Sequence, residues 1–150
     1  MKGYLKAHRD HQTTIIPNNI ITYTTDEKNK TPLTEFEKIL SSSNGAWPTG
    51  VICYNDELAV KLLDIIRNRK LKVPEDISIV GFDDSFLANV SEVKLTTIEH
   101  PKSKLGEMAA KLILDLIKQS KNDQLKEHEK LESVVYDPKL IVRNSTAKLS

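Results

Sequence analysis

The chain is 150 residues long, about one domain and enough to bury a real core. Hydrophobic residues make up 39% and charged ones 29%, and Lys+Arg 22 against Asp+Glu 21 leaves a formal charge of +1; this is a soluble, globular composition with no electrostatic pull toward nucleic-acid phosphates or anionic lipid. No apolar run approaches the roughly 20 residues of a membrane helix, the single Cys53 excludes an internal disulfide, and the amino terminus lacks the apolar centre of a signal peptide. The cytoplasm is therefore the default location, with no membrane partner.

In chain order, Tyr4, Leu5 and Ala7 form a helical stripe that nothing upstream caps, so the chain is expected to begin inside an element of a longer protein. His8 and His11 can share a helix face, but two imidazoles without a further ligand describe a solvated helix end better than a metal site, and no metal is expected. Residues 13–19, with Pro17, read as a loop, and the β-branched run Ile20-Ile21-Thr22-Tyr23-Thr24 as the first strand. After a polar connection over 25–30, Thr31 and Pro32 fit a helix N-cap and first-turn proline. Leu33, Phe36, Ile39 and Leu40 then fall on one face of a helix that should stop near Ser41-Ser42-Ser43-Asn44-Gly45. Trp47 precedes the next strand, hence lies toward the edge of the sheet away from that strand's carboxyl end, and is expected to pack.

Val51-Ile52-Cys53-Tyr54 reads as a strand with Cys53 as a small buried thiol. Leu58, Ala59, Leu62, Leu63 and Ile66 follow at helical spacing, so either Asn55 or Asp56 caps a helix. Further on, Val73-Pro74-Glu75-Asp76 is a proline turn feeding Ile77-Ser78-Ile79-Val80, an apolar run of strand length that breaks at Gly81-Phe82-Asp83-Asp84. Such uninterrupted runs belong to strands covered on both faces in parallel, helix-layered sheets, where ligands bind outside the carboxyl ends of the strands. Asn55 and Asp83 stand at equivalent strand ends along one rim and are candidate ligand contacts. The plainer alternatives are that Asp56 only caps its helix and Asp84 only accepts in a turn.

Residues 85–92 read as irregular, and Val93-Lys94-Leu95-Thr96-Thr97-Ile98 as another strand. His100 is either a ligand contact or a helix-entry residue. Pro101 opens a long helix in which Leu105, Met108, Ala109, Leu112, Ile113, Leu116 and Ile117 form an apolar stripe that must be covered by something. Residues 120–130 are charged and polar without a stripe and read as a flexible loop, and Ser133-Val134-Val135-Tyr136 and Leu140-Ile141-Val142-Arg143 as short extended runs around Asp137-Pro138-Lys139.

Asn55-Asp56-Glu57-Leu58-Ala59, then residues 73–84, then Leu95-Thr96-Thr97-Ile98, in this order and spacing, resemble the effector-binding region of lactose-repressor/galactose-repressor family transcription regulators. Cys53-Tyr54-Asn55-Asp56-Glu57, Ser91-Glu92-Val93-Lys94-Leu95-Thr96 and His100-Pro101-Lys102-Ser103 are similar to the arabinose-responsive branch of that family, and the likeness covers nearly the whole chain. The resemblance implies an α/β, type I periplasmic-binding-protein-like fold: an open, mainly parallel sheet with helices on both faces, two subdomains, and a sugar inducer in the cleft between them. By the same resemblance, residues 1–98 and 132–145 are mostly the C-terminal subdomain, 99–119 is a helix belonging to the N-terminal subdomain, and 120–131 is a flexible loop.

Its further implications are effector contacts from Asn55, Phe82, Asp83 and His100, with L-arabinose as the sugar, and a homodimer paired through Ala59, Val60, Leu63, Leu87 and Val90. An amide that donates and accepts beside a carboxylate that takes two vicinal hydroxyls suits a polyol. The family's effector-binding arginine falls three residues ahead of the glycine matching Gly3, at a position this chain does not contain, and operator DNA would be bound only through an amino-terminal head. A sugar-binding receptor of a transport system is the alternative with the same fold. An enzyme is not expected: adjacent acids at a strand end point to opposite sides, and no activated nucleophile, cofactor motif or metal spacing accompanies them.

Overall fold

The computed structural model describes residues 2–22, 30–42, 47–121 and 134–148. Its centre is a pair of short parallel strands, β1 (Gly50–Ile52) and β2 (Ser78–Val80), with Val51 opposite Ile79 and Ile52 opposite Val80. Before and between them come α1 (Lys2–Asp10), a 3-10 turn (Pro17–Asn19), α2 (Lys30–Ser42) and α3 (Asp56–Asn68). After them follow α4 (Phe86–Val90), β3 (Thr97–Glu99), α5 (Lys102–Lys121) and β4 (Lys139–Ile141).

α3 is the helix its sequence demands. Asn55 is extended at φ −152° and its side chain accepts from the Leu58 N–H at 2.9 Å, closing the cap, while Asp56 and Glu57 put negative charge in the first turn. Leu58, Ala59, Leu62, Leu63 and Ile66 then face one core together with Phe36 and Leu40 of α2, Cys53, Ile77, Ile79, Ala88 of α4, and Leu95. Trp47 packs half-buried against this core, as expected.

Burial alternates along the strands: Ile77, Ile79 and Cys53 point into the core, whereas Ile52 is 69% exposed on the opposite side. Among the described residues the apolar run of β2 is thus covered fully on one face rather than both, and Ser78 and Val80 are only half-buried. β2 is completed on its other edge by two separate segments. Thr96 bridges Val80 in parallel and accepts from the Gly81 N–H, while Ser145 accepts at its carbonyl from the Ile79 N–H. The Ser145 hydroxyl, fully buried, donates to Ile79 O at 2.6 Å and accepts from Thr96 N at 2.8 Å, pinning both segments to the strand.

Several expected elements shift. Residues 20–22 of the expected first strand are irregular, and 23 and 24 lie outside the described residues. The expected strand over 93–98 is displaced to β3, whose partner is the antiparallel β4, with Ile98 opposite Leu140. Residues 134–136 form no strand, and α4 occupies part of the stretch read as irregular. Pro101 immediately precedes α5 rather than sitting in its first turn. Ser120 and Lys121 still belong to that helix, and 122–131 lie outside the described residues.

Candidate functional site

The two strands end side by side. The Cys53 N–H donates to Val80 O at 2.8 Å and the Asp56 N–H to Phe82 O at 3.0 Å, so the start of α3 and the loop after β2 are joined directly at the rim. Phe82, Asp83 and His100 form one cluster there. The rings of Phe82 and His100 meet edge to face with centroids 4.6 Å apart, and His100 Nε2 lies 3.5 Å from Asp83 Oδ1. Asp83 and His100 keep 42% and 34% of their side-chain surface exposed, enough for a ligand to reach both. Asn55 stands at the end of the neighbouring strand. Its oxygen is occupied by the helix cap, which leaves its amide N–H groups as the donors it can offer.

The adjacent acids have separated roles. Asp83 faces His100, whereas the Asp84 carboxylate is held by Arg143 at 2.7 Å, with side chains only 20% and 14% exposed. Arg143 also donates to Leu95 O at 2.9 Å, and its backbone N–H donates to Thr96 Oγ1 at 2.9 Å, so the carboxy-terminal segment clamps the loop. Asp83 has φ 101° and Asp84 φ 43°, left-handed values that cost a non-glycine residue on the order of 1 kcal/mol or more each and persist only where neighbours enforce them.

Sequence reasoning missed three contributors. Lys102 Nζ donates to Asp83 O at 2.6 Å, tying the start of α5 to the cluster. Arg143 has no local motif, since its partners are 48 and 59 positions away in sequence. Asp56 is not the helix cap. It is 1% exposed and directs its carboxylate inward, accepting from Thr97 Oγ1 at 2.6 Å and from the Ser85 N–H at 2.7 Å. A Cβ on Gly81 would overlap Asp56 Oδ1, which is why glycine stands at the point where the strand breaks. An Asn-Asp pair at a helix start, with a glycine just after the next strand, was the available signal.

Burial pushes the Cys53 thiol up to about 12, with Asp56 nearby adding to the shift, so it is a protonated core residue and not a nucleophile. His8 is paired to Thr13 through Nδ1 at 2.7 Å. Among the described residues no group of three or more His, Cys, Asp or Glu side chains is placed to hold a metal, and no helix is long and apolar enough to cross a membrane.

Of the residues expected at a dimer interface, Ala59 is fully buried and Leu63 is 9% exposed in the chain's own core, whereas Val60 is half-buried and Leu87 and Val90 are exposed.

Residues 1–146 match the model of the periplasmic binding protein-like domain. The chain is 52% identical over 148 residues to the arabinose metabolism transcriptional repressor of Halalkalibacterium halodurans, covering 99% of this chain and 39% of that protein. It is 42% identical over 149 residues to the protein of the same name from Geobacillus stearothermophilus, again 99% and 39%. Among solved structures, a LacI family transcriptional regulator from Enterococcus faecium with bound ribose superposes with a TM-score of 0.65 at 31% identity, over 81% of this chain and 41% of that one. A complex of the transcriptional regulator CelR with cellobiose gives 0.77 at 24% identity, over 95% and 40%, a likeness of fold. The chain therefore spans about two fifths of the length of these relatives, 39% of the two curated repressors.

Proposed function

Because this chain belongs to the periplasmic binding protein-like domain family, in the form carried by LacI-type regulators, we propose that it is the effector-binding and dimerisation part of a cytoplasmic transcriptional repressor of sugar utilisation, with L-arabinose as its effector. The observation that carries this reading is the Phe82–Asp83–His100 cluster at the end of β2, beside Asn55 at the end of β1. An aromatic edge, a half-exposed carboxylate, an imidazole and an amide together offer a small neutral polyol a stacking surface, an acceptor and donors. The names and bound ligands of the relatives support a sugar; the choice of arabinose rests on the two repressors. In this reading residues 1–98 and 132–145 are the C-terminal subdomain, 99–119 reaches across to the N-terminal one, and operator DNA is engaged by a separate head.

The test is calorimetry on the intact regulator. L-Arabinose is expected to bind, and Asp83→Ala to weaken it by about 1–3 kcal/mol, because sugar hydroxyls and site donors lose their acceptor. Unchanged affinity in that variant would remove Asp83 from the site and, with it, this reading.

A further inference from the structure

The rim loop that presents Asp83 is wrapped around a carboxylate that never reaches the ligand side. Asp56, 1% exposed, receives the Thr97 hydroxyl on one oxygen and the Ser85 N–H on the other, and gives its own N–H to Phe82 O. Three segments therefore meet at one residue: the start of α3, the 82–85 loop held at one end by the Asp56 N–H and at the other by its carboxylate, and β3. Gly81 leaves room for that carboxylate, and the hydroxyl of Thr97, itself fully buried, also lies 3.4 Å from the Asp84 N–H. Among the described residues no cation faces Asp56, so its acceptor capacity is spent on holding this loop.

We propose that Asp56, with Thr97, is the positioning pair of the effector site: it fixes the loop in the left-handed conformation at Asp83 and Asp84 that turns the Asp83 carboxylate toward His100. The geometry separates two roles that the Asn55-Asp56 dipeptide conceals in sequence. Asn55 is available to a ligand through its amide, whereas Asp56 acts only through the loop. Without the Asp56 clamp, the backbone at 83 and 84 relaxes toward ordinary φ values and the carboxylate leaves the orientation in which ligand meets it, so affinity falls although no contact to ligand has been removed.

This inference rests on the effector reading above, and two readouts keep them apart. Thr97→Val removes the hydroxyl while keeping the side chain's volume, Thr97→Ser keeps the hydroxyl, and Asp56→Asn keeps the outline but leaves one acceptor oxygen where two are needed. Each is made in the intact regulator and compared at a temperature where circular dichroism shows it folded; if Thr97→Val does not fold, Asp56→Asn carries the same comparison. Hydrogen exchange at residues 82–85 and calorimetric affinity for L-arabinose are measured together. Thr97→Val and Asp56→Asn are expected to speed exchange at 82–85 while the amides of 62–66 stay protected, and to lose about tenfold in affinity, the scale of one hydrogen bond's free energy. Thr97→Ser should match the wild type on both. Unchanged affinity in the folded variants, or exchange that rises equally in α3, overturns the positioning role. Should the wild type fail to bind L-arabinose, the effector reading falls on its own, and exchange at 82–85 still decides whether Asp56 holds the loop.

Discussion

Two neighbouring aspartates illustrate how little side-chain identity alone says about role. Asp83 is presented and Asp84 is consumed, because the ion pair with Arg143 is nearly buried and the guanidinium is shared with Leu95 O. Removing the arginine leaves a carboxylate with 20% exposure and no cation to hold it. Arg143→Ala is expected to cost about 2–3 kcal/mol in urea denaturation, below the full penalty for a completely buried pair. Arg143→Lys should recover only part of that, since an ammonium cannot serve both acceptors with the geometry of the fork. A loss under about 0.5 kcal/mol in the alanine variant, the range of ordinary surface substitutions, would show that the clamp holds nothing.

Cys53 gives a pH signature at the same scale. Its folded value is raised from 9.0 to about 12, so the stability tied to the protonated thiol is fully present below about pH 9. Above that the unfolded chain releases the proton first, and stability falls by about 1.4 kcal/mol per pH unit until the folded thiol also titrates. Denaturation of wild type and Cys53→Ala at pH 7 and pH 10 should show the wild type losing about 1.4 kcal/mol more over that interval, one unit above the ordinary thiol value. Equal losses would mean the thiol is less enclosed than its surroundings imply.

At the scale of elements, what was legible in sequence is what local chemistry decides. The α3 pattern, a polar cap at its start and the strand that breaks at Gly81 all follow from residues within a turn or two of one another, although the choice of Asn55 over Asp56 as that cap does not. What was illegible is what distant segments decide. Thr97 and Ile98 are strand residues, but their pairing with β4, the edge completed by Ser145, and the Asp84–Arg143 pair are set by chain that returns tens of residues later. α4 was hidden for another reason: five residues carry too short a period to stand out, yet Ala88 is fully buried while Phe86 is 78% and Val90 54% exposed. We propose that this short helix, with one anchored side and an apolar outer side, is a contact surface for a second protomer. Ala59 and Leu63 lie beneath that surface in the core, so an aspartate at 63 would unfold the chain rather than report on pairing. Val90→Asp is the cleaner variant, and in the intact regulator it should shift sedimentation from dimer toward monomer with the far-ultraviolet spectrum unchanged. A dimer of wild-type strength in that variant would place the interface elsewhere.

For the molecule as a whole, the outstanding feature is a long helix without a core of its own. None of the stripe residues of α5 is buried: Leu105, Ile113 and Ile117 are 44%, 57% and 47% exposed, Ala109 is exposed, and Met108, Leu112 and Leu116 are half-buried. The periodicity of α5 marks an apolar face along one side of the helix, the kind of face that a partner surface covers. Each large aliphatic side chain taken fully out of water is worth about 1.5–3 kcal/mol, so the uncovered stripe amounts to a driving force for association several times larger than a surface ion pair offers. The 150-residue chain on its own is therefore expected to self-associate through α5 with increasing concentration, and Leu105→Gln, Ile113→Gln and Ile117→Gln combined should return it to a monomer while leaving the core around Ile66 and Ile79 folded. Sedimentation velocity over a hundredfold concentration range decides between the two states. A wild-type chain that remains monomeric and binds no hydrophobic dye would mean that α5 finds its cover inside the chain, against its exposure in this structure.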